Sequence, residues 1–239
     1  MIESKPNINV LLYHQIGRKP TNQTNLDCFC LESEFHNQMN YLKENNYEVI
    51  SLNRAIELIT FKTTIDKNYI VLTFDDGCNS FYNTTYPILD YFNFKASVYP
   101  ITGFLNNYLE INSKKYEHIK ILSESMIKEL SLLDVHFGAH TVNHLKLTQL
   151  EEIYINKEIK NSKSYLEQLL GYQIDSFSFP HGKYNKKIIE IVKNNGFTNS
   201  LTCNNGFFQT TNSLFEIPRK YITYFDTIET FKQKLNLYE

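Results

Sequence analysis

The chain has 239 residues, 24 lysines and arginines against 26 aspartates and glutamates, a formal net charge of −2 and 42% hydrophobic residues. That length and apolar content suit one α/β unit, with residues 1–239 expected as a single domain around a sizeable core. Balanced charge without basic clusters excludes a nucleic-acid binder, and no apolar stretch approaches the ~20 residues of a membrane span, which leaves peripheral membrane association at most. The first residues contain no apolar signal-type run, so a cytoplasmic location is expected. The four cysteines, Cys28, Cys30, Cys78 and Cys203, form no CxxC pair, which argues against a disulfide framework and fits a reducing compartment.

In chain order, a short strand over 9–13 ends at His14, and 17–30, rich in Thr, Asn and Pro, reads as a long loop. Ser33 is the expected N-cap of a helix with Phe35, Met39 and Leu42 on one face, ended by Asn45-Asn46,. A strand near 48–51 follows. The apolar run Tyr69-Ile70-Val71-Leu72 then leads into Thr73-Phe74-Asp75-Asp76-Gly77, two adjacent carboxylates where a buried strand breaks into a loop. A helix over 82–93 tolerates Pro87 near its first turn, and a strand over 96–99 comes next. Ser123 caps a helix through Leu130, and a strand over 134–138 delivers His140. The helix over 150–170 carries an apolar stripe of Ile155, Ile159, Leu166, Leu169 and Leu170, with Gly171 as its C-cap,. A strand over 176–179 stops at Pro180, a helix over 186–195 ends at Gly196, and two strands are expected at 198–202 and 217–222.

Strands alternating with helices imply parallel βα units with an inner sheet or barrel. His14, Asp75-Asp76, His140 and the Pro180-His181-Gly182 turn each fall at the C-terminal end of a different predicted strand, where such folds collect catalytic groups,. His140 and His144 are four apart, and one Asp with two His is the ligand set of a catalytic metal that keeps coordination positions open. The second Asp is then free to act as a base, a combination suited to metal-assisted hydrolysis. The competing readings are a turn or helix cap for Asp75-Asp76, a solvated helical pair for the histidines, and an ordinary loop residue for His14. Cys78 is a sulfur ligand in principle, but with Asp76 and two His at hand a small loop residue is preferred. His36, His118 and His136 read as surface or packing residues.

Taken together, TFDDG (73–77), HTVNH (140–144), FSFPHGKY (177–184) and IPRKYI (217–222) resemble the polysaccharide deacetylase family, the NodB-homology carbohydrate esterases, in that family's order. YNTTYPIL (82–89), KASVYPITGF (95–104) and LSESMIKEL (122–130) resemble it too, so the likeness runs from Tyr13-His14 to about Ile222. The resemblance implies a distorted (β/α)7 barrel and one divalent metal on Asp76, His140 and His144. Zinc is the default ion, and cobalt, nickel or iron would suit the same groups. It further implies Asp75 as catalytic base, an oxyanion site at the backbone N–H of His181 after Pro180, and removal of an N-acetyl group from an N-acetylated saccharide, with no obligate protein partner evident.

Two departures stand out. Ser178 occupies the position where many members place an arginine that orients the catalytic Asp, and no late LxxH motif follows Ile217. Arg219 is a candidate replacement for that arginine, with a purely structural ion pair as the rival reading. The branch acting on poly-β-1,6-N-acetylglucosamine takes its acid from an early Tyr-His motif, here Tyr13-His14, so His14 is expected to protonate the leaving amine. A deformylase or amidase on a lipid-linked or nucleotide-linked sugar, and a catalytically silent carbohydrate-binding module, are the alternative functions.

Overall fold

The computed structural model describes residues 6–21, 24–111, 114–133 and 135–236. In chain order the strands and helices are β1 (Ile8–Tyr13), β2 (Gln15–Gly17), β3 (Phe29–Leu31), α1 (Glu32–Glu44), β4 (Glu48–Val49), α2 (Leu52–Thr60), β5 (Tyr69–Asp76) and α3 (Tyr86–Phe92). These are followed by β6 (Ala96–Pro100), β7 (Tyr108–Ile111), β8 (Lys114–Lys120), α4 (Glu124–Ser131), β9 (Val135–Phe137) and α5 (Glu152–Leu170). The chain continues through β10 (Ser176–Ser178), α6 (Lys186–Asn194), β11 (Asn199–Leu201), β12 (Lys220–Tyr221) and α7 (Ile228–Asn236).

β1 and β5 are buried at every position, the mark of inner parallel strands covered on both faces. The principal sheet runs β12-β1-β5-β6-β9, and all its pairs are parallel. β10 and β11 form a parallel pair of their own. Single parallel bridges, Ala139 with Phe177 and Leu201 with Ile217, join that pair to β9 on one side and to the run entering β12 on the other. The seven strands β1, β5, β6, β9, β10, β11 and β12 therefore form a ring in sequence order. The result is the distorted (β/α) barrel that the family resemblance implied, with the parallel βα units that the strand–helix alternation predicted.

Side-chain alternation sorts the core. Leu11, Tyr13, Leu72 and Phe74 face the outer layer with Phe35, Met39 and Leu42 of α1 and Leu89 and Phe92 of α3. Val10, Val71, Tyr99, Leu201 and Ile217 pack together in the barrel, and α2 adds Leu52, Ala55, Leu58 and Ile59 where β1 and β5 begin. Thr73, Asp75 and Asp76 continue β5 toward the opposite mouth.

Several local expectations change. α1 starts at Glu32 with Leu31 at its N-cap and no side-chain cap bond, so Ser33 lies inside the first turn, where Glu32 and Glu34 complement the helix dipole,. The helix expected over 82–93 opens with a π-turn, Phe81–Thr85, and becomes α-helical only from Tyr86, because Pro87 has no N–H to bond back to Asn83. The strand expected over 48–51 is two residues long, and α2, capped by Ser51 accepting from the Arg54 N–H at 3.2 Å, follows at once. The region expected as loop over 17–30 holds β3, paired with β2. The antiparallel β7–β8 hairpin and α7 were not foreseen. Asp134, the expected start of one strand, lies outside the described residues. No described helix is long and apolar enough to cross a membrane.

Candidate active site

The ends of β5, β9, β10 and β11 and the entry to β12 bring the polar cluster together. Asp75, 3% exposed, is held by Arg219, which is fully buried: Nη1 donates to Oδ1 at 2.8 Å and Nη2 to Oδ2 at 2.7 Å. Ser178 Oγ donates to Asp75 Oδ2 at 2.9 Å and accepts from Arg219 Nη2 at 2.9 Å. The guanidinium is itself fixed by the Thr202 carbonyl at 2.8 Å and Thr73 Oγ1 at 3.2 Å. Burial would raise the Asp75 pKa, but Arg219 outweighs it and brings the group down to about 2,. Arg219, 41 residues past Ser178 in the chain, thus makes the contact expected of the arginine that Ser178 replaces, and the serine hydroxyl joins it.

Asp76 sits at the turn itself. Its φ is +68° and that of Gly77 is +71°, and a Cβ on Gly77 would stand 2.6 Å from the Pro100 Cβ, so the turn requires glycine there,. His140 follows β9, and its Nδ1 lies 2.8 Å from the Ser178 carbonyl. That bond assigns the proton to Nδ1 and leaves the Nε2 lone pair free. Asp76 Oδ1 is 3.6 Å from His140 Nε2 and 3.5 Å from His144 Nε2. One donor atom from each of the three residues lies within 4.8 Å of the others, and all three are buried.

The arrangement fits a metal ion. Asp76 Oδ1 is buried without a hydrogen-bond partner among the described residues, and separations of 3.5 and 3.6 Å are long for a hydrogen bond. Donors each ~2.1 Å from a shared tetrahedral ion stand roughly 3.4 Å apart. Electrostatics agree. Burial opposes the charge on Asp76, yet the neighbouring imidazoles pull its pKa well below the usual carboxylate range. Burial takes His144 down to about 3, so it stands neutral with a lone pair available. Burial also acts to lower His140, but Asp75 and Asp76 outweigh it and raise that group, the response of a pocket that attracts one positive charge.

The turn carrying both imidazoles is unusual in its backbone. Thr141 has φ +65° and His144 φ +55°; for a β-branched residue this is an outlier that costs on the order of 1–3 kcal/mol. The Thr141 and Val142 carbonyls accept from the Thr102 and Gly103 N–H groups at 3.2 and 2.8 Å, and Thr141 Oγ1 accepts from the His144 N–H at 3.1 Å.

Of the other expected residues, His14 is half-buried beside the cluster. Its ring lies 5.2 Å from that of Tyr221, and its Nδ1 has no hydrogen-bond partner among the described residues. Burial lowers its pKa, opposed by Asp76 and Asp75. His181, exposed and at φ +57°, places its ring 4.3 Å from that of His144, with Nε2 3.2 Å from the His144 carbonyl. Pro180 is buried at the start of the same turn. Tyr13 is buried against α1: its hydroxyl donates to Gln38 Oε1 at 2.8 Å, and its ring stacks on Phe74 at 5.3 Å. All four cysteines are free thiols, and Cys78 is buried with its pKa pushed up by burial, outside the Asp-His-His group. Strand-end placement made most of these residues readable; Ser178, read only as a missing arginine, carried no signal of its own.

The polysaccharide deacetylase family model matches residues 62–200. YxkH of Bacillus subtilis (strain 168), a protein assigned to the polysaccharide deacetylases, is 24% identical over 204 residues, 85% of this chain and 67% of its own length. A poly-β-1,6-N-acetyl-D-glucosamine N-deacetylase of Staphylococcus aureus (strain MSSA476) is 22% identical over 174 residues, 69% of this chain and 58% of that protein. The Streptococcus pyogenes deacetylase PplD, solved in complex with acetate, superposes with a TM-score of 0.83 at 27% identity, covering 98% of this chain and 100% of that one.

Proposed function

The chain belongs to the polysaccharide deacetylase family, and from that premise we propose that it removes the N-acetyl group from an amino sugar of a saccharide, using a divalent ion held by Asp76, His140 and His144. The observation that carries the proposal is the pairing of a buried Asp-His-His cluster with an adjacent carboxylate that is not part of it. Such an ion supplies Lewis-acid polarisation of the acyl carbonyl and a water of lowered pKa. Zinc is our assignment for a site of one oxygen and two nitrogen donors.

Asp75 is the proton acceptor. Its Oδ2 already takes bonds from Arg219 Nη2 and Ser178 Oγ, whereas Oδ1 takes one, from Arg219 Nη1, so Oδ1 keeps an open lone pair. The same pairing makes Asp75 a weak base, and it therefore needs a strongly acidified water as its partner. The oxyanion that develops on the acyl group is assigned to the backbone N–H of His181, whose turn lies against His144,. His14 gives the departing amine its proton. Burial keeps its imidazole neutral near pH 7, so it first takes a proton from solvent and passes it to the amine, and the proton held by Asp75 returns to solvent when the base is restored. The name of the staphylococcal relative makes poly-β-1,6-N-acetylglucosamine our first substrate assignment.

The test is mass spectrometry of N-acetylated saccharides incubated with the protein, with and without chelator. The expected result is replacement of acetyl by hydrogen on the sugar nitrogen, abolished by chelation and restored by zinc. Deacetylation that survives complete metal removal overturns the proposal.

A further inference from the structure

Val142 and Asn143 lie between the two imidazoles, and their carboxylate partner comes from a different element. Glu158 is buried on α5, within the face that also buries Ile155, Ile159, Ser162 and Leu166. A carboxylate in such a stripe calls for an explanation. Its Oε2 accepts the backbone N–H of Val142 at 3.0 Å and of Asn143 at 2.8 Å, and its Oε1 accepts from Asn143 Nδ2 at 2.6 Å. Among the described residues no basic side chain pairs with it. Its charge is met by three N–H donors of one turn.

We infer that Glu158 is the positioning residue for the two imidazoles: its carboxylate clasps the N–H groups of residues 142 and 143 and so fixes the turn that brings His140 and His144 to Asp76. The inference rests on Asp76, His140 and His144 being the metal-ligand set. The turn is gripped from both sides. Gly103 holds the Val142 carbonyl at 2.8 Å, where a Cβ on residue 103 would stand 2.5 Å from that oxygen, while Glu158 holds the N–H groups. Consecutive N–H groups in a turn with left-handed residues make a concave anion site,. A fixed carboxylate in it organises the ligands before an ion arrives, as outer partners of metal ligands do. Glutamine of the same shape would meet three donors with a single acceptor oxygen and an NH2 group that repels one of them.

The experiment titrates the metal-depleted full chain with cobalt(II), whose visible absorption reports ligand geometry, and records Tm alongside. In Glu158→Gln the apparent Kd for cobalt is expected to rise about 10- to 100-fold with an altered visible band, and Glu158→Asp, which keeps the charge, is expected to recover part of the affinity. Wild-type cobalt affinity and spectrum in folded Glu158→Gln would overturn the inference, whatever its Tm. Should that variant not fold, amide hydrogen exchange in the metal-free wild type decides: protection of the Val142 and Asn143 N–H groups supports the clasp, and exchange at unstructured rates overturns it. Asp76→Ala is the control. If it retains cobalt, the ligand set fails; if it loses cobalt while Glu158→Gln binds normally, only the positioning role fails.

Discussion

Asp75 and Asp76 are adjacent in sequence, yet their partners divide their work. Asp75 is matched by one permanent cation, Arg219, whereas Asp76 faces two imidazoles with an oxygen that has no hydrogen-bond partner among the described residues. Asp76→Ala is therefore expected to lose stoichiometric zinc, whereas Asp75→Asn should retain it while kcat falls by a factor on the order of 10² to 10⁴. Metal analysis with initial rates checks both, and zinc retained by Asp76→Ala would contradict the assignment. Arg219→Met strands the Asp75 charge in the barrel with Ser178 as its remaining side-chain donor, so denaturant unfolding should show a loss of about 3–5 kcal/mol. Ser178→Ala removes one bond to a charged group and should cost only about 1–3 kcal/mol. The carboxylate pair and the histidine pair were legible because each falls within one short stretch of the sequence, adjacent for Asp75 and Asp76 and four apart for His140 and His144. The Asp75–Arg219 pair spans 144 positions; the family resemblance offered Arg219 as the substitute arginine beside a purely structural ion pair, and only the closed barrel shows its guanidinium on both Asp75 oxygens.

Turns, more than strands, set the geometry between those residues. Gly103 has no steric freedom to spare on the Val142 side: a Cβ there would meet the Val142 carbonyl at 2.5 Å and its Cγ1 at 3.1 Å. Gly103→Ala should thus displace the histidine turn and reduce zinc affinity and turnover together, with a stability loss of about 1–3 kcal/mol. Gly171→Ala is the contrast. It meets nothing within 4 Å but sits at φ +76° as the C-cap of α5, so it should cost about 1 kcal/mol and leave kcat unchanged. Equal zinc affinity in the two variants, measured by calorimetry, would remove the histidine turn from its proposed role. At this scale the sequence was informative where apolar residues repeat strongly, as in β5 and α5. It was less so for α2, whose cap Ser51 was absorbed into a strand reading of 48–51, and for α7, whose Phe231 and Leu235 find their packing partners only in the folded outer layer. Glu158 was hidden by its own helix: a single acid within an apolar stripe reads as a surface residue until the turn it binds is in place.

Across the whole molecule the ring of strands is unevenly stitched. β1 and β5 pair over six positions, while β9 meets β10 and β11 meets the run into β12 through one bridge each. Polar contacts reinforce those seams: Tyr99 and Ser176 hydroxyls are 2.9 Å apart, Ser176 Oγ reaches Asn199 Oδ1 at 2.6 Å, and Arg219 ties β5 to Ser178 of β10. An ion on Asp76, His140 and His144 would add a further tie, between the end of β5 and the turn after β9, next to the weaker seam. Binding to the folded state alone stabilises by RT ln(1 + [L]/Kd), about 2.7 kcal/mol at a hundredfold excess over Kd. For a domain of this size that corresponds to a Tm rise of roughly 5–10 °C. Chelation of the zinc-loaded protein should reverse the rise, and Asp76→Ala, without the central ligand, should melt at the same temperature with or without chelator. Differential scanning calorimetry on both proteins gives the answer without any substrate, and a wild-type Tm indifferent to chelator would leave the ion no part in holding the barrel together.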